Sequence, residues 1–313
     1  VSSEGGTKAV LAALLANAGI AVTKLLAFLL TGASSMLAEA IHSVADSGNQ
    51  LLLLRGGKAA RKDADEEHPF GHGAERYVYG FLVAVVLFTV GGLFALYEAY
   101  HKFHEVHAAH GHPEDSILDS RWWWVPILVL VVAIGMEGFS FRTAMRESAK
   151  LKGSASYVTF IRRAKEPELP VILLEDTAAL TGLVFALLGV GLSLITGSEY
   201  WDVAGTALIG LLLVAVAVVL GLETKSLLLG EAASPDAQRR IRAAIEGTEG
   251  LEGVIHLRTM HLGPEELLVA VKVAVPAAET AGDVAAAIDR AEAAVRSAEP
   301  AATRIYVEPD VRR

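Results

Sequence analysis

Six apolar stretches, each near the length of a bilayer crossing, dominate the first three quarters of this chain. They fall at roughly 8–31, 34–56, 75–101, 122–145, 170–195 and 201–225. About 20 apolar residues are needed to cross the hydrocarbon core as a helix. No water is there to satisfy stray backbone groups, so a run of such segments can only become a helical bundle. Hydrophobic residues make up 53% of the 313, in keeping with that reading. No cleavable signal peptide is read ahead of the first segment, which is itself long enough to span. The chain has no cysteine, which excludes disulfides and thiolate metal sites.

Lys and Arg in the short connections set the orientation. The connection after the second segment carries Arg55, Lys58, Arg61, Lys62 and Arg76. The one after the fourth carries Arg142, Arg146, Lys150, Lys152, Arg162, Arg163 and Lys165. The turns near Thr31–Ser35 and Thr196–Tyr200 carry neither residue. The positive-inside rule then puts both termini and both basic loops in the cytoplasm. These loops suit anionic lipid, and with a net charge of −9 no nucleic-acid partner is expected.

Beyond residue 230 the pattern changes. SPDAQRRIRAAIEGTEG opens with a helix start signal, and LEGVIHLRTMHLG and ELLVAVKVAVP alternate around Gly263-Pro264 as paired strands do. AGDVAAAIDRAEAAVRSA is a second helix that Asp283 can cap, and TRIYVEP is a closing strand. Residues 1–230 therefore read as a six-helix transmembrane domain. Residues 231–313 read as a small α+β domain of order α-β-β-α-β, with a ferredoxin-like arrangement. A core of about 80 residues is small, which favours dimerisation through this tail.

Inside the second apolar segment His42 and Asp46 stand one helical turn apart, on one face. Ionisable groups are costly in lipid and mark ion paths or partners. Imidazole with carboxylate suits a divalent transition metal, while the simpler reading is a His–Asp hydrogen bond between helices. At about 1.5 Å per residue Asp46 lies about 18 Å from Ser34, leaving about 12 Å of hydrocarbon core. Asp176, entering from the opposite side near Pro170, lies about 9 Å deep. His42, Asp46 and Asp176 can thus share a level and leave room for a fourth ligand.

Other features stay two-sided. Asp65, His68 and His72 in DADEEHPFGHG either bind metal or shape a turn around Pro69 and Gly71. His101, His104, His107, His110 and His112 cluster between the third and fourth segments, as a solvated loop helix or a metal-capturing loop. In the tail, alternation puts His256 and His261 on opposite strand faces. With Glu308 and Asp310 they make an unfavoured metal site. Lys24 is read as snorkelling outward and Glu39 as guiding ions at the outer mouth. Asn17, Ser43 and Asn49 are read as hydrogen-bonding between helices. No HExxH, nucleophile elbow or P-loop is present, so the chain is not read as an enzyme.

The order of these motifs resembles the cation diffusion facilitator family of zinc transporters. SSMLAEAIHSVADSGNQ is similar to its second helix, DADEEHPFGHG to its first cytoplasmic loop, and ETKSLLLGEAASPD to its linker into the tail. HSVAD and LLEDTAA are similar to a branch that includes a mitochondrial zinc transporter of eukaryotes. The resemblance implies proton-coupled export of a divalent metal, most often Zn²⁺, by a homodimer with alternating access in a cell (plasma or inner) membrane. It also implies a transport site at His42, Asp46 and Asp176 and a second metal site at Asp65, His68 and His72. Metal and protons compete for imidazole nitrogen, which fits such exchange. One departure stands out: Ile172 occupies the position where the family's fifth helix places another ligand. Glu137 or Glu175 is the candidate replacement, and Mn²⁺, Fe²⁺, Co²⁺ and Ni²⁺ stay open as cargo. A cation channel and a non-transporting metal sensor remain as alternatives.

Overall fold

The computed structural model describes residues 18–109, 120–154, 156–165 and 168–311. The first helix, α1, spans Ala18–Thr31. It is followed by α2 at Ser34–Ala59 and by α3 at Glu75–Ala108. Next come α4 at Trp124–Lys152, a short α5 at Tyr157–Arg163, α6 at Glu168–Thr196 and α7 at Tyr200–Leu229. Helices α3, α4, α6 and α7 are long and apolar enough to cross a membrane by themselves. Helix α2 is 26 residues long, but it carries Glu39, His42, Asp46, Arg55 and Lys58. The proposed start of the first apolar segment, before Ala18, lies outside the described residues.

Two compact units emerge, Val1–Arg55 with Tyr79–Glu223 and Gly56–Val78 with Thr224–Arg313. The first is the helical bundle. Its core joins Ala27, Met36, Val83, Leu87, Leu130, Leu183, Ile209 and Leu213, all almost fully buried. Small residues let helices approach closely, as packing in lipid favours. A side chain at Gly205 would meet the Phe185 carbonyl at 2.9 Å, and one at Gly92 would meet Val214 at 2.8 Å. Gly91 and Gly92 lie within a π-helical segment of α3, Leu87–Leu93. At its start, α2 is capped by another helix. The Ser34 backbone N–H donates to Asp202 Oδ2 at 2.8 Å, the Ser34 hydroxyl to the same oxygen at 3.1 Å, and the Ser35 hydroxyl to Oδ1. A carboxylate there suits the positive end of the helix dipole.

In the second unit α8 (Pro235–Glu246) and α9 (Ala281–Ala298) pack with a three-stranded sheet: β1 Gly253–Gly263, β2 Glu266–Val275 and β3 Arg304–Val311. β2 is central, antiparallel to β1 and parallel to β3, so α9 is the crossover that parallel pairing demands. Leu267, Val269, Val271 and Val273 alternate into the core with Ile241 and Ile245 of α8. Ser234 caps α8 with Pro235 next to it, and Thr280 caps α9. Asp283 is the third-position partner of Thr280 in a capping box rather than the cap itself.

Residues 56–78 belong to this same unit. Gly73 lies against the β1–β2 turn so closely that a Cβ on Gly263 would sit 2.8 Å from Gly73 Cα.

Candidate functional site

Within the bundle, the i,i+4 spacing brings His42 Nδ1 to 3.5 Å from Asp46 Oδ1. His42 is 1% exposed. Neither of its ring nitrogens, nor Asp46 Oδ1, has a hydrogen-bond partner among the described residues. Buried polar atoms of native folds are normally satisfied, so three orphaned atoms on one helix face have the character of ligand atoms for a cation or a water.

The two adjacent acids of α6 part company. Glu175 is buried and accepts from Asn49 Nδ2 of α2 at 2.6 Å. Asp176 is half-buried and accepts from the Ser140 hydroxyl of α4 at 3.1 Å. Glu137 is half-buried on α4, three residues before Ser140. A step of about 100° per helical residue accounts for this split. His42, Asp46 and Asp176 do not bring three ligand atoms within 4.8 Å of one another.

Lys24 does not snorkel. It is 1% exposed, and its Nζ donates to Glu39 Oε2 at 2.9 Å and to the Ser43 hydroxyl at 2.8 Å. Burial beside a fixed carboxylate holds the ammonium inside. Reading Lys24 alone could not find this, because its partner lies on the next helix. Ser43 and Asn49 do hydrogen-bond between helices.

The second cluster is in the tail unit. Asp65, His68 and His72 form the one group of three metal-capable side chains among the described residues whose ligand atoms all lie within 4.8 Å. Asp65 Oδ1 is 3.3 Å from His68 Nδ1, and Asp65 Oδ2 is 3.1 Å from His72 Nε2. The local chain builds this turn itself. His68 N–H donates to Asp65 Oδ1 at 2.6 Å, Gly71 N–H to the His68 carbonyl at 2.9 Å, and Gly71 takes φ +92°. The His68 backbone N–H first, then the His72 ring, hold the Asp65 carboxyl down at about 2. An ionised carboxylate between two imidazoles is a ready three-ligand cation site.

The other histidines are engaged differently. His101, His104 and His107 lie on α3 itself, which runs to Ala108, and not in a connection. His101 stacks on Tyr97, His104 meets Tyr100 edge-on, and His107 stacks on Phe103. His110 and His112 lie outside the described residues. In the tail, His256 pairs across the sheet with Lys272, and Lys272 with Glu308. The Lys272 ammonium reaches Glu308 at 3.1 Å and Asp310 at 3.0 Å. Those hydrogen bonds, to Asp310 first, raise its pKa. A cation already sits on both carboxylates. His261, on the other strand face, is half-buried.

Comparison with known proteins matches the family described as "Cation efflux transmembrane domain" over residues 10–229 and "Cation efflux protein, cytoplasmic domain" over 233–310. The chain is 30% identical over 263 residues to the mouse "Proton-coupled zinc antiporter SLC30A9, mitochondrial", covering 83% of this chain and 44% of that protein. It is 27% identical over 252 residues to "Magnetosome protein MamM" of Magnetospirillum gryphiswaldense, covering 78% and 69%. A solved MamM-CTD structure is 26% identical over 26% of this chain and 100% of that one, with a TM-score of 0.25. The chain spans less than half the length of the SLC30A9 proteins it matches. With its membrane and cytoplasmic parts both matched in order, the chain belongs to the cation efflux, or cation diffusion facilitator, family of membrane proteins.

Proposed function

We propose that this protein exports a divalent transition-metal cation, Zn²⁺ before Mn²⁺, Fe²⁺, Co²⁺ or Ni²⁺, in exchange for protons. It works as a homodimer with alternating access in a cell membrane, with both termini in the cytoplasm. The observation that carries the reading is the buried His42 beside the half-buried Asp46, whose ring nitrogens and carboxylate Oδ1 lack hydrogen-bond partners among the described residues. Asp176 and one of Glu175 or Glu137 complete the set from α6 and α4. Metal and proton compete for the same imidazole and carboxylate atoms, so protons entering from outside release the ion.

The SLC30A9 relatives are named as proton-coupled zinc antiporters, which supports the cargo and the exchange. The cytoplasmic-domain match supports dimerisation. Cation efflux proteins are transporters, and no catalytic set is assigned here. Asp65, His68 and His72 hold a second ion with a structural or regulatory role. The tail carboxylates, engaged by Lys272, hold none.

Metal flux into proteoliposomes under a pH gradient tests this, with Asp46→Ala and Asp176→Ala beside the parent. Saturable, gradient-dependent flux lost in both variants is expected. Gradient-independent flux would remove the proton coupling, and flux surviving both substitutions would misplace the site. Bound metal with no flux for any ion would favour a sensor.

A further inference from the structure

The buried ion pair between α1 and α2 has no part in the scheme above, yet it shares a helix face with the site. Glu39 and His42 are three residues apart, about 4.5 Å along the axis, and Glu39 and Ser43 are four apart. Lys24 bridges Glu39 and Ser43 from the neighbouring helix. The side chains of Lys24 and Glu39 are only 2% and 0% exposed.

Two more helices close on the same point. A Cβ on Gly182 of α6 would lie 2.7 Å from Glu39 Oε1 and 3.8 Å from Ile209 of α7. Only a residue without a side chain lets the carboxylate rest there. Glu39 Oε1 has no hydrogen-bond partner among the described residues. The cluster lies toward the Thr31–Ser34 turn, the side that charge bias places outside.

We propose that Lys24, Glu39 and Ser43 form the outer seal of the transport path, with Lys24 the positioning residue that holds it. This rests on the transport reading above. An ion pair is an unusual choice for a permanent structural contact in lipid. Apolar side chains would pack as firmly without desolvating two charges. A dehydrated pair suits a contact that must open, because water entering from outside solvates both ions at once. The free Glu39 oxygen offers that water its first acceptor. Gly182 of α6 lies against the Glu39 carboxylate, so opening and closing of the pair are coupled to the helix that carries Asp176.

The sign of each substitution follows. Lys24→Met leaves a lone buried carboxylate and favours the hydrated, open path. Lys24→Met with Glu39→Leu removes both charges and favours the closed one.

The chain has no native cysteine, so Ala179→Cys gives a single thiol. Ala179 is buried on α6, three residues from both Asp176 and Gly182. The full chain is reconstituted and labelled from the outer side with a membrane-impermeant maleimide, and Zn²⁺ flux is measured in parallel. Lys24→Met is expected to speed labelling by about tenfold or more, the size of effect a stranded buried charge produces. The double variant is expected to stay folded, label no faster than the parent, and lose flux by about tenfold. Exchanging the charges, Lys24→Glu with Glu39→Lys, should restore slow labelling. Unchanged labelling in folded Lys24→Met, or parental flux in the double variant, would overturn the proposal. Should Lys24→Met not fold, the double variant decides alone. Absent flux in the Ala179→Cys parent would count against the transport reading, while the labelling rates would still report on the seal.

Discussion

Asn49 donates to Glu175 at 2.6 Å in a buried position, tying α2 to α6 three residues beyond Asp46. The neighbouring Asp176 turns instead to Ser140 of α4. Consecutive acids thus anchor α6 to different helices. Glu175→Ala would strand a buried amide, at a cost of about 1–3 kcal/mol. Glu175→Gln keeps an acceptor for Asn49 and loses only the charge. Thermal unfolding in detergent should separate the two, with Ala the less stable. If Glu175 is the fourth ligand, Gln should nonetheless lose metal flux while staying folded.

The loop site makes its own prediction. His72 is half-buried on one side of Asp65 and His68 exposed on the other, so His72→Ala removes the better-fixed imidazole. Calorimetric titration of the full chain with Zn²⁺, in an Asp46→Ala background, should show one site per protomer. His72→Ala should weaken that site by about 10–100-fold or more, as loss of one of three ligands does. Unchanged affinity would place the ion elsewhere.

Acid should affect this loop late through its aspartate. Asp65 has its pKa lowered to about 2 from 3.8. A depressed carboxylate pKa contributes stability that is present above the unfolded value and lost as pH falls through the folded one. Carbon-detected NMR of the Asp65 carboxyl, metal-free, should therefore show a titration near pH 2. His68→Ala and His72→Ala should each move it upward. A midpoint near 3.8 in the parent would mean that the hydrogen-bonded turn does not persist in solution.

Close backbone packing fixes residues 56–78 on the β1–β2 turn. A Cβ on Gly263 would lie 2.8 Å from Gly73 Cα and 3.0 Å from Gly73 O, both backbone atoms that cannot swing aside. Gly263→Ala should cost about 1–3 kcal/mol, the usual price of overpacking. Hydrogen exchange should speed up around residues 68–75. Gly57→Ala, where nothing lies within 4 Å, is the control and should not destabilise.

In the tail, Lys272→Ala should leave Glu308 and Asp310 without their cation. A new, weak divalent-ion site is expected by titration in a His72→Ala background, since close like charges recruit a counter-ion. No added site would mean that the two acids spread apart.

Much of this architecture can be read in the chain itself. Apolar runs of bilayer length give the helices, because lipid leaves the backbone no other solution. Alternation along Leu267–Val273 and the Ser234-Pro235 cap give the tail. The His42–Asp46 contact follows from helical spacing alone. Tertiary facts are where sequence reading stopped. Whether Glu175 or Asp176 faces α2 depends on how α6 is rotated, which its nearly uniform apolar surface does not announce. Lys24 found its partner on another helix. Residues 56–78 fold with a tail that begins more than 140 positions later, and no local pattern carries that pairing.

The grip of Asp202 on Ser34 and Ser35 turns α2 into a lever pinned at one end. A swing of about 10° about that pivot moves Ser34 hardly at all. It carries Asp46, about 18 Å along, by about 3 Å. Displacement therefore grows away from the pivot. The fulcrum lies about 7.5 Å along α2 from Glu39, and the arm beyond it carries His42 and Asp46.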